Sequence, residues 1–84
     1  MIKSQTFTGT PGLWYLNTPV LMGVTLLGVW REGTALKKID PIYTPSGAEF
    51  YFISTGQLQF DPNIPFFGTL ANDIRETVFC IWDE

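Results

Sequence analysis

Two stretches of sequence decide the fold of this chain: VLMGVTLLGVWR at residues 20–31 and TVFCIW at residues 77–82. Both are rich in aliphatic, β-branched and aromatic residues and favour β-strands. Neither shows the regular alternation of apolar and polar residues that a strand with one wet face displays. We therefore expect two strands with both faces covered, either inside a sandwich or by another subunit.

The segment from Gln57 to Phe60 has the clearest alternation in the chain. Its two Gln residues face one side and its Leu and Phe residues face the other, as in a half-buried strand. Arg31–Thr34 contains a glycine that can take a positive φ, and it predicts a hairpin turn from which Ala35–Ile39 returns. Further Gly and Pro turns separate short β-rich segments about every eight to twelve residues.

No segment keeps a helical period, so the chain offers no crossover helix for a parallel sheet. The sequence therefore predicts an all-β fold, a small antiparallel β-sandwich or partly open barrel of about six or seven short strands. Residues 1–12 are expected to form a Thr/Gly-rich N-terminal arm, which is either a short edge strand or a segment that becomes ordered by adding a strand to a neighbour. Residues 13–84 are expected to form a single β domain. We expect Thr69–Arg75 to be a loop or at most one helical turn.

The candidate core consists of apolar residues on the inward faces of these strands: Val24, Leu26, Phe52, Leu58, Phe60, Phe79 and Ile81. In the last strand we assign Phe79 and Ile81 to the core, because that face is larger per residue than the face that holds Cys80. Trp82 then falls on the opposite face and is expected in a subunit contact. The other candidate interface residues are Ile2, Phe7, Trp14 and Trp30.

The composition limits the functions open to the chain. It has 84 residues with no His and one Cys, which excludes His-based catalysis, His-containing zinc sites and an intrachain disulfide. The net charge is −3, and the longest basic cluster is the Lys37-Lys38 pair, so we expect no nucleic-acid binding. The loop acids Asp61, Asp73 and Glu76 are expected to serve turns and solvation. We expect no enzyme activity, no cofactor and no metal.

Charged residues make up only 15% of the chain, against about 25% in an ordinary soluble domain. No charge occurs between Lys3 and Arg31, but Asn17-Thr18-Pro19 interrupts that stretch, so no membrane span is expected. Scarce charge and strands that are apolar on both faces together predict a homo-oligomer. The lone Cys80 is expected to be a small buried hydrophobe.

A longer pattern runs from Val24 to Trp82. It consists of an apolar strand, a polar turn, an apolar return, an aromatic stretch, a short strand, a Pro-containing turn and a final alternation of Val and aromatics. These parts are Leu27–Trp30, Arg31–Gly33, Leu36–Ile39, Phe50–Phe52, Gly56–Phe60, Ile64–Phe66 and Glu76–Trp82. Their order resembles a small β module of tailed-phage virion proteins, which recurs near tail-fibre attachment ends and in tail or neck components.

The resemblance implies a non-enzymatic virion structural protein: a phage tail, neck, fibre-attachment or capsid-decoration component that acts through β-sheet-mediated subunit contacts. It implies a trimer or ring, other virion proteins as partners, and a place in the virion after assembly in the host cytoplasm. The Arg-Glu-Gly turn, where the module more often has Asn-Gly, and the long connector Gly68–Glu76 depart from the pattern. The aromatic content leaves one alternative open, a small carbohydrate-binding or cell-surface β module with a host surface glycan as its partner.

Overall fold

Two four-stranded sheets carry most of the secondary structure in the computed structural model, which describes residues 1–39, 47, 49–69 and 74–84. The first sheet contains, in spatial order, β1 (Ile2–Thr8), β10 (Thr77–Asp83), β3 (Thr25–Arg31) and β4 (Thr34–Ala35). The second contains β2 (Tyr15–Asn17), β7 (Gln57–Gln59), β6 (Phe50–Ser54) and β5 (Lys37–Lys38). A separate ladder joins β8 (Gly68–Thr69) to β9 (Ile74–Arg75), and Pro19–Leu21 forms a 3-10 turn.

The predicted all-β fold is confirmed, and its sheets are antiparallel with one exception. β5 runs parallel to β6 over Lys37–Lys38 and Phe50–Tyr51, so the expectation of purely antiparallel pairing is wrong at that point. The connection between these two strands lies mostly outside the described residues. Asp40-Pro41 and Pro45-Ser46, which belong to the Gly and Pro turns expected between the β-rich segments, also lie there. The described residues form ten strands, more than expected, because several ladders are only two residues long.

Residues 2–8 belong to the domain's own first sheet. β1 pairs with β10 along its whole length, from Ile2 opposite Asp83 to Thr8 opposite Thr77. The segment is Thr-rich and buries little apolar area, but its backbone completes one side of the β10 ladder. It is therefore an edge strand of the first sheet, the first of the two possibilities that the sequence leaves open.

A β-bulge in β3 determines which side chains of the first sheet face inward. The register of β3 against β10 shifts between Ile81 and Trp82, and Leu27 is the extra residue. Leu26 and Val29 consequently lie on the same face of the sheet, although strict alternation would place them on opposite faces.

The core lies between the two sheets. Its buried members are Leu16, Leu21, Val29, Tyr51, Leu58, Phe60, Phe66, Val78, Cys80 and Trp82. Leu58 and Phe60, both expected in the core, are fully buried, and Val24 and Leu26 pack against the cluster as partly buried residues. Cys80 is buried as expected, and burial raises the pKa of its thiol to about 12. It therefore stays protonated at neutral pH.

The two faces of β10 are the reverse of the expected assignment. Trp82 is 2% exposed and belongs to the core, whereas Phe79 is 37% exposed and Ile81 is half-buried on the opposite face. Thr77 and Asp83 share that second face. Because burying a carboxylate and a hydroxyl is costly, the polar ends of the strand favour turning this face outward.

Phe52 also lies outside the core. On β6, Tyr51 is buried and Ile53 packs against the core. Phe52 lies between them and points to the other face of the strand, where it is half-buried. Its assignment to the core is therefore wrong.

Candidate interaction surface

The outer face of the first sheet carries an uncharged apolar patch. Phe79 and Trp30 lie directly opposite each other on β10 and β3, with ring centroids 5.7 Å apart and an interplanar angle of 50°. Ile81 and Gly28 form the neighbouring pair on the same face of these two strands. We call these four residues the outer patch.

Gly28 gives the Trp30 ring room to lie on the sheet. A Cβ added at Gly28 would come within 2.5 Å of Cη2 of the Trp30 indole. The ring therefore covers the glycine backbone directly, an arrangement that a larger residue would prevent. The close approach holds the Trp30 indole against the backbone of the sheet.

Small side chains flank the outer patch on both sides. Thr6 lies opposite Phe79 and Ser4 opposite Ile81 on β1, and Ala35 lies opposite Trp30 on β4. All three small residues are exposed. None of the described residues paired beside the patch is long or charged, so a second protein surface can approach it closely. The Glu32 carboxylate accepts a hydrogen bond from the Thr77 hydroxyl at one end of the same face.

Two of the expected interface residues lie on this outer face. Trp30 is part of the outer patch, and Ile2 is 61% exposed at the end of β1 opposite Asp83. Trp14 is half-buried just before β2, and its ring lies 5.2 Å from that of Tyr15.

Two other expected interface residues face the core. Phe7 lies opposite Val78 and packs against the core as a partly buried residue, and Trp82 is buried within it. Their assignment to a subunit contact is wrong, because the register of β1 and β10 points both side chains toward the second sheet. Phe79 and Ile81 are the contact candidates that sequence reasoning missed. The sequence signal that this face of β10 points outward was the pair of polar residues at its two ends, Thr77 and Asp83.

A buried ion pair joins the end of β3 to the residue before β10. Nη2 of Arg31 lies 3.0 Å from Oε2 of Glu76, and the side chains are 7% and 15% exposed. Arg31 also donates to the carbonyl oxygens of Ile64 and Pro65, and its guanidinium lies 4.8 Å from the ring centroid of Phe66. These contacts connect the loop before β8 to the first sheet. We therefore assign the ion pair a structural role and not a catalytic one.

The surroundings of Glu76 act on its pKa in opposite directions. Burial acts to raise this pKa, but the side-chain hydrogen bond from Arg31 and the backbone N–H of Phe67 lower it, as does the charge of Arg31. The net pKa of Glu76 lies below its ordinary value. The carboxylate is therefore ionised at neutral pH and remains paired with Arg31.

The other described carboxylate candidate, Asp61, is held by backbone donors in a turn. Asp61 accepts hydrogen bonds from the backbone N–H groups of Gly47 at 2.7 Å and Asn63 at 2.8 Å, which lower its pKa. Asp73 and most of the Thr69–Arg75 connector lie outside the described residues. Within the described ranges, no group of three or more His, Cys, Asp or Glu residues is placed to hold a metal ion.

A cleft of about 380 Å³ opens beside the segment that leads into β3. Residues 21–26, Ile53, residues 55–56 and Lys38 line it. Lys38 is the only ionisable side chain among these lining residues. The cleft therefore lacks the set of convergent polar groups that orients a small ligand.

Where the structure describes the chain, it contains no helix with the length and apolar character needed to cross a membrane. The interpretation of the outer patch depends on its own geometry, because comparisons with protein-family models, curated proteins and solved structures found no match.

Proposed function

We propose that this chain is a non-enzymatic structural protein of a tailed-phage virion, acting as a tail, neck, fibre-attachment or capsid-decoration component. It binds copies of itself and other virion proteins through the outer patch, and it is assembled into the virion in the host cytoplasm. The observation that carries the proposal is an uncharged aromatic surface on the face of the first sheet that the second sheet does not cover. The virion assignment also draws on the resemblance of residues 24–82 to the phage module.

The outer patch has the composition of a contact anchor. Large aromatic side chains at the centre of an interface carry much of its binding energy, and charged residues are depleted there. Trp30 and Phe79 supply two adjacent rings, and the flanking Thr, Ser and Ala side chains leave them accessible. A subunit seated on this face would remove both rings from water, which is favourable by about 25 cal/mol per Å² of apolar area.

The geometry of the rings disfavours the carbohydrate-binding alternative. Two aromatic rings that share one sugar platform need to be nearly coplanar. The rings of Trp30 and Phe79 are inclined at 50°, and those of Trp14 and Tyr15 at 75°. Neither pair offers a shared flat surface to a glycan.

The substitution Phe79→Thr is expected to weaken self-association about tenfold or more while the chain stays folded. Thr suits a strand, but it removes an aromatic anchor, and truncating such an anchor costs about 2 kcal/mol or more of binding energy. Light scattering behind a sizing column, over a range of concentrations, measures the association. Phe67→Thr is the matched control, because Phe67 is 74% exposed in a loop outside the first sheet.

A Phe79→Thr variant that associates as tightly as the wild type would show that the outer patch is not the subunit contact. A wild-type chain that remains a 9.5 kDa monomer at every concentration would remove the homo-oligomer from the proposal. A change in Trp fluorescence of that monomer on addition of glycans would favour the carbohydrate-binding module instead.

A further inference from the structure

The free edge of β1 is a second surface, distinct from the outer patch. At the ends of the β1–β10 ladder, the Gly9 N–H donates to the Glu76 carbonyl at 2.8 Å and the Glu84 N–H donates to the Met1 carbonyl at 3.1 Å. Hydrogen-bonded pairs recur at every second residue of an antiparallel ladder. The odd-numbered residues between these ends therefore bond to β10. The backbone groups that point away from β10 are those of Ile2, Ser4, Thr6 and Thr8.

No described residue pairs with this edge. All residues of β1 are exposed except the half-buried Phe7. The strand contains no Pro and keeps one register from Ile2 to Thr8, so it lacks the proline and the bulge by which many edge strands avoid further pairing. Seven residues is also longer than the typical strand of about five or six.

We propose that the free edge of β1 pairs in antiparallel fashion with β1 of a second copy of this chain, so that two first sheets become one continuous sheet. The inference rests on the proposed function, for which it names one subunit contact. A twofold axis at Gln5 places Ile2 opposite Thr8 of the second copy and Ser4 opposite its Thr6. This register pairs every outward N–H and C=O group of both strands.

The charge of Lys3 favours the axis at Gln5 over an axis at Lys3. Lys3 is the only charged residue of β1, and an axis at Gln5 places it opposite Phe7 of the second copy. The aliphatic stem of Lys3 then packs along the ring, and its ammonium group keeps the ion pair with Glu84 at 2.9 Å. An axis at Lys3 would set two lysines opposite each other, which is destabilising, and would leave Thr6 and Thr8 unpaired. The register with its axis at Gln5 therefore pairs all four outward residues of β1 and sets no two lysines opposite each other.

The pairing leaves the outer patch available for other subunits. The twofold axis of two antiparallel strands is perpendicular to their sheet, so both outer patches face the same side. Between them lie the outward side chains of the two β1 strands: Ser4 and Thr6 near the centre, and Ile2 and Thr8 at the ends. The dimer thus presents one wide contact face to a further protein.

Residue-resolved amide hydrogen exchange at rising protein concentration tests this pairing directly. A contact of one strand pair is small and weak, so the series should run from about ten micromolar to about one millimolar. We expect the N–H groups of Ser4 and Thr6 to become protected about tenfold or more only at high concentration. The N–H groups of Gln5 and Phe7, which bond to β10, should be protected throughout.

The variant Thr6→Pro removes one outward N–H and no bond to β10, so it should stay folded and lose the concentration-dependent protection of Ser4. Thr6→Val keeps the N–H and should pair like the wild type. If Ser4 and Thr6 exchange equally fast at all concentrations, the inference is overturned. The proposed function still stands if Phe79→Thr reduces association in that same protein. If Thr6→Pro does not fold, the wild-type exchange data decide alone.

Discussion

Replacing Trp82 with Ala is expected to lower the free energy of unfolding by about 3–5 kcal/mol. The indole is 2% exposed and belongs to the core between the two sheets, so its removal leaves a cavity. A domain is held together by about 5–15 kcal/mol in total, and the variant should therefore be close to unfolding. Denaturant titration followed by far-ultraviolet circular dichroism measures the loss.

Phe79→Ala is the control on the opposite face of the same strand. Phe79 is 37% exposed and contacts the ring of Trp30, so its truncation should cost only about 1 kcal/mol. If Phe79→Ala destabilises the chain as strongly as Trp82→Ala, the structure's assignment of the two faces of β10 is wrong.

Arg31→Met is expected to cost about 3–5 kcal/mol, because it leaves the buried Glu76 carboxylate without its cation. The carbonyl oxygens of Ile64 and Pro65 also lose their donor. Lys37→Met removes the same charge at an exposed site and should change stability by no more than about 0.5 kcal/mol. Equal effects of the two substitutions would mean that net charge, and not the buried pair, controls stability.

The pH dependence of stability should report the same pair. The folded-state pKa of Glu76 lies below its ordinary value of 4.5, so the stabilisation is complete above about pH 4.5 and is lost as the pH falls through the folded-state pKa. The Arg31→Met substitution removes the hydrogen bond and the charge that lower the pKa of Glu76. The variant should therefore lose less stability than the wild type on acidification. Identical acid transitions in both proteins would contradict this role for the pair.

Local patterns in the sequence predicted the elements whose structure depends on a few adjacent residues. The alternation from Gln57 to Phe60 identified β7 and its buried side, because side chains alternate across a strand. The hairpin turn predicted at Arg31–Thr34 is confirmed: Glu32 and Gly33 have φ values of 49° and 79°. Two positive φ values in succession match the twist of the flanking strands.

For strands that are apolar on both faces, the sequence did not directly predict which face points toward the core. In β10, the apolar residues alone did not distinguish the inner from the outer face, and only the polar ends Thr77 and Asp83 pointed to the answer. In β3, the bulge at Leu27 reverses the alternation, and Gly28 signals an irregular strand without fixing where its register shifts. These features depend on how the strands pair, which periodicity within one strand does not specify.

The buried ion pair and the free edge also depend on distant parts of the chain. Arg31 meets Glu76 across 45 positions of sequence, and the sequence pattern around Arg31 indicates only a charged turn. Similarly, the Thr-rich segment of β1 gave no local sign of whether it pairs within its own domain. The structure shows that β1 pairs with β10 of its own domain, and its opposite edge has no partner strand among the described residues.

The proposed virion role is tested most directly by quantitative mass spectrometry of any phage particles purified from cells that carry the gene. We expect the wild-type chain at a constant ratio to the other structural proteins of the particle. The Phe79→Thr chain should be depleted about tenfold or more, and the Phe67→Thr chain should be incorporated normally. Particles that lack the wild-type chain, or that incorporate Phe79→Thr as well as the wild type, would contradict the account.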